Sequence, residues 1–182
     1  MNTLNNKIRQ LAISGEVVFR DIDMATIWGI TNRNTLYTTL KRYNKNKTLE
    51  KIKPGIYSIL DIKDINPDMI GVKVLHRYCY ISMETILRDQ GIILQRVPHT
   101  TFASDISKRF VVGEYSYISR RLKDIYLYNK EGIYTKDGVN YATIERAVAD
   151  LLYFNPLYYF DNARLIDWKK VEEIQKVAGY KK

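Results

Sequence analysis

The chain has 182 residues, 46% of them hydrophobic and 27% charged, with a formal net charge of +9 and one cysteine, Cys79. The length fits one domain or two small ones, the apolar fraction excludes wholesale disorder, and a lone cysteine excludes an intrachain disulfide. No apolar run nears the ~20 residues of a membrane span, and the opening MNTLNNKIRQ holds no apolar signal core, so a cytoplasmic protein with a polyanionic partner is expected.

Residues 3–13 predict a helix, because Leu4, Ile8 and Leu11 recur at helical spacing and Gly15 follows as a stop. Val17, Val18 and Phe19 predict a short extended, buried stretch. Ile22, Ala25, Thr26 and Trp28 suit a second short helix, closed by Gly29. Thr31 or Asn32 can cap a third helix, with Leu36, Leu40 and Tyr43 on its inner face. Asn34, Tyr37, Thr38, Lys41, Arg42 and Lys45 occupy the opposite face. Residues 49–53 and 56–60 are strand-like runs around Pro54-Gly55, which predicts a hairpin.

The charge is concentrated in this part of the chain. Residues 1–60 carry ten Lys/Arg and four Asp/Glu, against nineteen and sixteen in residues 61–182. Between 33 and 53, Arg33, Lys41, Arg42, Lys45, Lys47, Lys51 and Lys53 stand against Glu50 alone, a local net of +6. Three helices and a basic hairpin in this order describe a winged helix-turn-helix over residues 1–62, with Gly29-Ile30-Thr31 as the turn. In that shape the third helix enters the major groove of duplex DNA and its first residues meet base edges. Here those residues are Asn32, Arg33, Asn34, Tyr37 and Thr38. Arginine can pair with guanine and asparagine with adenine. Lys41, Arg42 and Lys45, with Lys51 and Lys53 on the wing, would rest on phosphates. The alternatives are a solvated basic face and a module that binds another protein.

Asn66-Pro67-Asp68 marks a helix start, and the helix should run to about Leu75. Ser82 predicts the cap of another helix, with Met83, Ile86 and Leu87 inward and Gly91 closing it. Residues 92–98 read as a strand. Residues 100–141 are mostly extended, including 125–128, with turns at 129–132 and at Lys136-Asp137-Gly138. Thr143 caps a helix that places Ile144, Ala147, Val148 and Leu151 on one face and ends at Asn155-Pro156. A last helix spans 167–178, before Gly179. The fold class expected is α+β: the winged helix-turn-helix, then a small mixed α/β domain over residues 63–182. The tyrosines, 15 in all, sit mostly at strand-like positions and suit sheet packing. Lys108-Arg109 and Arg120-Arg121-Lys123 would suit a partner surface, although Asp105, Glu114 and Asp124 dilute them.

Two phrases of the second part carry a family resemblance. HRYCYISMETILRDQGI at 76–92 resembles the Tyr-Ile-Ser-x-Glu-Thr block of the AbiEi antitoxin family, and NYATIERAVADLL at 140–152 resembles that family's Glu-Arg-Ala-x-x-Asp-Leu-Leu block. KIKPGIYSI is similar to its wing, and the order and spacing agree over roughly residues 10–155. The resemblance implies a bacterial antitoxin of a type IV toxin–antitoxin, or abortive-infection, system. Such a protein would repress its own operon at promoter inverted repeats and oppose a nucleotidyltransferase-type toxin, without having to touch it. The segment after residue 155 is short against the family pattern. Read physically, Ser82 is a cap, Glu84 favours the helix dipole, and Arg146 and Asp150 are i,i+4 neighbours able to pair. Neutralisation of a toxin by direct contact, and transcription regulation unlinked to a toxin, are the alternative readings.

No catalytic constellation is visible. Asp21 and Asp23 imitate a metal-holding acidic pair, but Ser14-Gly15 is reversed and too close for the phosphate turn, and the acids open a helix. Only His76 and His99 accompany Cys79, too few for an ordinary zinc site, and Cys79 reads as a buried apolar residue. No Walker A loop or dinucleotide fingerprint occurs. Neither an enzyme, a cofactor nor a metal site is expected.

Overall fold

The computed structural model describes residues 3–180, with side chains from Asn6 onward, so the expected inward place of Leu4 lies outside the described side chains. Among the described residues the chain is mixed α+β, with eight α-helices and two sheets. No helix among them is long and apolar enough to cross a membrane. Contacts divide the chain into two compact units, Met1–Val74 and Leu75–Lys182.

The first unit runs α1 (Thr3–Ile13), β1 (Val18–Arg20), α2 (Asp21–Trp28), α3 (Arg33–Lys45), β2 (Glu50–Lys53), β3 (Ile56–Ser58) and α4 (Pro67–Leu75), which reaches the border. The three strands form an antiparallel sheet in the order β1-β3-β2. Leu11, Phe19, Met24, Trp28, Leu36, Leu40, Tyr43, Leu49 and Tyr57 make one buried cluster, so every element from α1 to β3 contributes to it or borders it. Trp28 stacks on Tyr43 at 5.6 Å and donates its indole N–H to the Lys7 carbonyl at 3.0 Å. That bond satisfies the polar edge of a buried ring. Gly29 closes α2 in the left-handed conformation at φ 63, as its position in the sequence predicts. The composition break puts a border at residue 62, whereas the contacts keep residues 63–74 with the first unit. Lys73 of α4 pairs there with Glu16 at 2.5 Å.

The second unit runs β4 (Cys79–Ile81), α5 (Glu84–Asp89), β5 (His99–Ser104), β6 (Lys108–Val112), β7 (Tyr115–Arg121), α6 (Asp124–Leu127), β8 (Ile133–Lys136), β9 (Val139–Ala142), α7 (Ile144–Phe154) and α8 (Trp168–Ala178). Its strands form a six-stranded mixed sheet in the order β6-β7-β5-β4-β9-β8. The pairs β5–β7 and β4–β9 are parallel; the rest are antiparallel. α5 packs on β5 and α7 on β9, α5 and α7 touch each other, and α8 packs on α7. Thr143 caps α7 by accepting the Arg146 N–H at 3.3 Å, and Asp167 caps α8 by accepting that of Lys170 at 3.2 Å.

Three local expectations are corrected. Ser82 does not cap α5. Met83 holds the N-cap position, at φ 54 and ψ −132, and the Ser82 hydroxyl instead donates to Asp150 at 2.6 Å. A buried carboxylate is the stronger acceptor, and it turns Ser82 away from the helix. Residues 92–98 are not a strand. The Ile92 N–H folds back onto the Leu87 carbonyl at 2.8 Å, and the Leu94 N–H donates to Asp161 at 2.8 Å. Ile92 and Ile93 are buried by this reversal, so their apolarity serves a helix end instead of a ladder. Residues 125–128 are not extended either, because α6 starts at Asp124, an acid well placed in a first helical turn.

Candidate nucleic-acid interface

α3 separates its residues by polarity. Leu36, Leu40 and Tyr43 are buried, while Arg33, Asn34, Tyr37, Thr38, Lys41, Arg42 and Lys45 are exposed. A 3.6-residue period puts Arg33, Tyr37 and Lys41 on one line along the helix, with Asn34, Thr38, Arg42 and Lys45 beside it. Asn32 opens the helix: its side-chain oxygen accepts the Thr35 N–H at 3.1 Å and the Thr35 hydroxyl at 3.4 Å. That oxygen is thus committed to the cap, so Asn32 presents chiefly its amide N–H groups outward. Arg33 donates its Nε–H to the Tyr37 hydroxyl at 3.1 Å, and its guanidinium lies 5.7 Å from that ring. The ring holds the side chain along the helix while the terminal fork of N–H groups points away from Nε.

The hairpin brings the second group of cations to the same place. β2 and β3 pair across Pro54-Gly55, with Gly55 left-handed at φ 78, and the Gly55 carbonyl accepts the Asp21 N–H at 2.9 Å. The turn is thereby tied to the start of α2. Tyr37, Leu40, Lys41 and Asn44 of α3 face Lys51 and Tyr57 of the hairpin across a groove of about 350 Å³. Lys51 is exposed and Lys53 half-buried. So the structure brings Tyr37, Lys41 and Lys51 together, keeps Arg33, Asn34, Thr38, Arg42 and Lys45 on the adjoining exposed face, and gives Asn32 to the helix cap.

Asn44 and Tyr57 belong to the groove and were not picked out by the sequence. Asn44 donates to the Leu49 carbonyl at 3.1 Å, fixing the hairpin against the end of α3. Burial raises the Tyr57 pKa, helped by Asp21 and Tyr37, so its hydroxyl stays a neutral donor. Neither residue carries charge, and their place follows only from how α3 meets the hairpin. Glu50, the one acid of the basic run, is spent on a backbone contact, accepting the Ile62 N–H at 3.0 Å.

The other chemical candidates resolve as structural groups. Asp23 pairs with Arg20 at 2.8 Å and accepts the Arg20 backbone N–H at 3.2 Å, while Asp21 accepts the Ile22 N–H at 2.8 Å. Both acids serve the start of α2. Burial, helped by Asp105, pushes the Cys79 thiol up to about 12, which removes the thiolate a nucleophile needs. Among the described residues no group of three or more His, Cys, Asp or Glu could hold a metal ion.

Arg146 and Asp150 do pair, at 2.9 Å, and both side chains are fully buried. All five guanidinium N–H groups find acceptors: Asp150, the carbonyls of Asn129, Glu131 and Tyr126, and the Tyr80 hydroxyl. Ser82 and Tyr180 donate to the same carboxylate. Burial is the largest single influence and opposes the Arg146 charge, but Asp150, Tyr80 and Tyr180 together outweigh it and hold the guanidinium above its usual range. The cluster is saturated and closed to solvent, so it offers nothing to a ligand. Compared with known proteins, the chain matches no protein-family model and no curated protein.

Proposed function

We propose that the chain is a DNA-binding antitoxin that represses its own operon, with α1 to β3 acting as a winged helix-turn-helix. The observation that carries the reading is the groove in which Tyr37 and Lys41 of α3 face Lys51 of the hairpin, beside an exposed row of further cations. The order helix, strand, two helices and a hairpin supports it, since a winged helix uses that order to put one helix in the major groove and the wing on the flanking backbone. α3 would read base edges through Arg33, Asn34, Tyr37 and Thr38. Lys41, Arg42, Lys45, Lys51 and Lys53 would lie on phosphates.

The AbiEi-like phrases at 76–92 and 140–152 supply the antitoxin part of the proposal. The partner opposed would be a nucleotidyltransferase-type toxin, with no direct contact required, and the setting would be the bacterial cytoplasm. No catalytic role, cofactor or metal is assigned to the chain. Fluorescence anisotropy on the chain's own promoter fragment tests the reading. The expected result is preference for that fragment over random duplex at physiological salt, and equal binding of the two would reject it. A nucleotidyltransferase signature in the adjacent reading frame tests the antitoxin part separately.

A further inference from the structure

We propose that the open edge of β6 is a docking site for an extended acidic segment of a partner protein, added to the six-stranded sheet as one more strand. This goes beyond the DNA-binding reading and stands independently of it. β6 ends the strand order, and among the described residues its only ladder partner is β7. The two strands meet at the two-residue turn Gly113-Glu114, with Gly113 at φ 58 and Val112 opposite Tyr115. In such a hairpin the closing pair exchanges hydrogen bonds, and bonded and non-bonded pairs then alternate. Phe110–Tyr117 and Lys108–Ser119 are therefore bonded pairs, whereas Arg109 and Val111 turn their N–H and C=O groups to the open side. That is a ready row of two donors and two acceptors.

The side chains say what kind of strand would fit. Lys108 and Arg109 are exposed, and Val111 is 65% exposed. Register places Lys108 opposite Ser119, so the exposed Arg121 is its diagonal neighbour on the same face. The nearby acids do not cancel these cations: Asp105 is held by Arg77 at 2.8 Å, and Glu114 lies at the turn, the far end of the strand. The edge is thus cationic at its start and apolar toward its end. An antiparallel strand reading apolar, apolar, acidic, acidic would set its apolar residues against Val111 and Phe110 and its carboxylates against Arg109 and Lys108. A nucleic acid would meet the cations but would leave the outward amide row and Val111 without partners. The opposite edge, β8, is a poorer template, because its Ile133 N–H is already bound to the Lys130 carbonyl at 3.0 Å.

The test uses the full chain and a fluorescein-labelled nine-residue peptide with a valine-phenylalanine-glutamate-aspartate core. Saturable binding is expected, with slowed amide exchange at Arg109 and Val111, and no binding when the two acids of the peptide are replaced by lysines. Val111→Pro removes an outward N–H and leaves the ladder to β7 intact, so affinity should fall at least about tenfold with the unfolding midpoint retained. The surface double variant Lys108→Glu, Arg109→Glu should do the same. Failure to bind at millimolar peptide, or full binding by Val111→Pro, would overturn the proposal. So would oligouridylate that binds through Lys108 and Arg109 more tightly than the peptide and ignores Val111→Pro, which would give the patch to a nucleic acid.

Discussion

Arg146 shows how far one buried residue can organise its surroundings. Its five N–H groups hold Asp150, Tyr80 and three carbonyls between Tyr126 and Glu131. Replacing one partner of a buried pair leaves the other charge without compensation. Arg146→Ala should therefore lower unfolding stability by about 3–5 kcal/mol, read from urea titration. Tyr180→Phe removes only one donor to Asp150 and should cost about 1–3 kcal/mol in the same measurement. His99 gives a pH-dependent counterpart. Burial lowers its pKa from 6.5, and Arg120, Arg109 and Arg88 add to this while Glu84 opposes it. The unfolded chain then takes up a proton before the folded one does. The stabilisation is complete above pH 6.5 and is lost as pH falls through the lower folded value. His99→Gln should flatten that part of the stability profile.

At the scale of elements, α3 and its hairpin carry the proposed interface, and its residues should separate by assay. Arg33→Ala should cost about 1–3 kcal/mol on the preferred site if Arg33 reads a guanine, with little loss on random duplex. Lys41→Ala should weaken every sequence alike and reduce the salt slope by about 1. Asn32→Ala should act first on stability, by about 1 kcal/mol, because the side chain caps α3. The elements of this unit were legible in the sequence, since periodicity, Gly29, Asn32 and Pro54-Gly55 are all local signals. What the sequence did not disclose is long-range. Ser82 looks like a cap until Asp150, 68 residues away, takes its hydroxyl. Ile92 and Ile93 look like a strand until the reversal onto Leu87 claims them. Asn44 and Tyr57 become groove residues only once α3 and the hairpin meet. Apolar and uncharged side chains carry no mark of such partners.

For the whole molecule, the uneven charge distribution is the property that acts at a distance. The net +9 is weighted toward residues 33–53, where the exposed cations of α3 and the hairpin share one unit. Neutralised phosphates release counterions, and binding then falls steeply with salt. If six phosphates are engaged, raising salt from 50 to 200 mM should weaken binding roughly 10³-fold. A titration by anisotropy measures this, and a shallow slope would mean that few of these cations reach the backbone. The tyrosines contribute at this scale mainly by packing. Tyr43, Tyr80 and Tyr117 are fully buried, and Tyr117 stacks between Phe102 at 5.9 Å and Phe110 at 4.9 Å.

The buried guanidinium also has a kinetic consequence. Its acceptors come from β4, from α6 and the turn before β8, and from α7 itself, and Tyr180 donates to the same Asp150 oxygen that Arg146 holds. Gly132 allows that turn to lie against α7, since a Cβ there would stand 2.8 Å from the Arg146 Cβ. The carbonyls of Tyr126, Asn129 and Glu131 take their bonds from Arg146 and so wait for α7, and α7 cannot bury its arginine until the turn has formed. Neither can serve as an early stable intermediate. Assembly of this unit thus waits for contacts between residues far apart in its sequence, and such non-local contacts slow folding relative to a helical bundle.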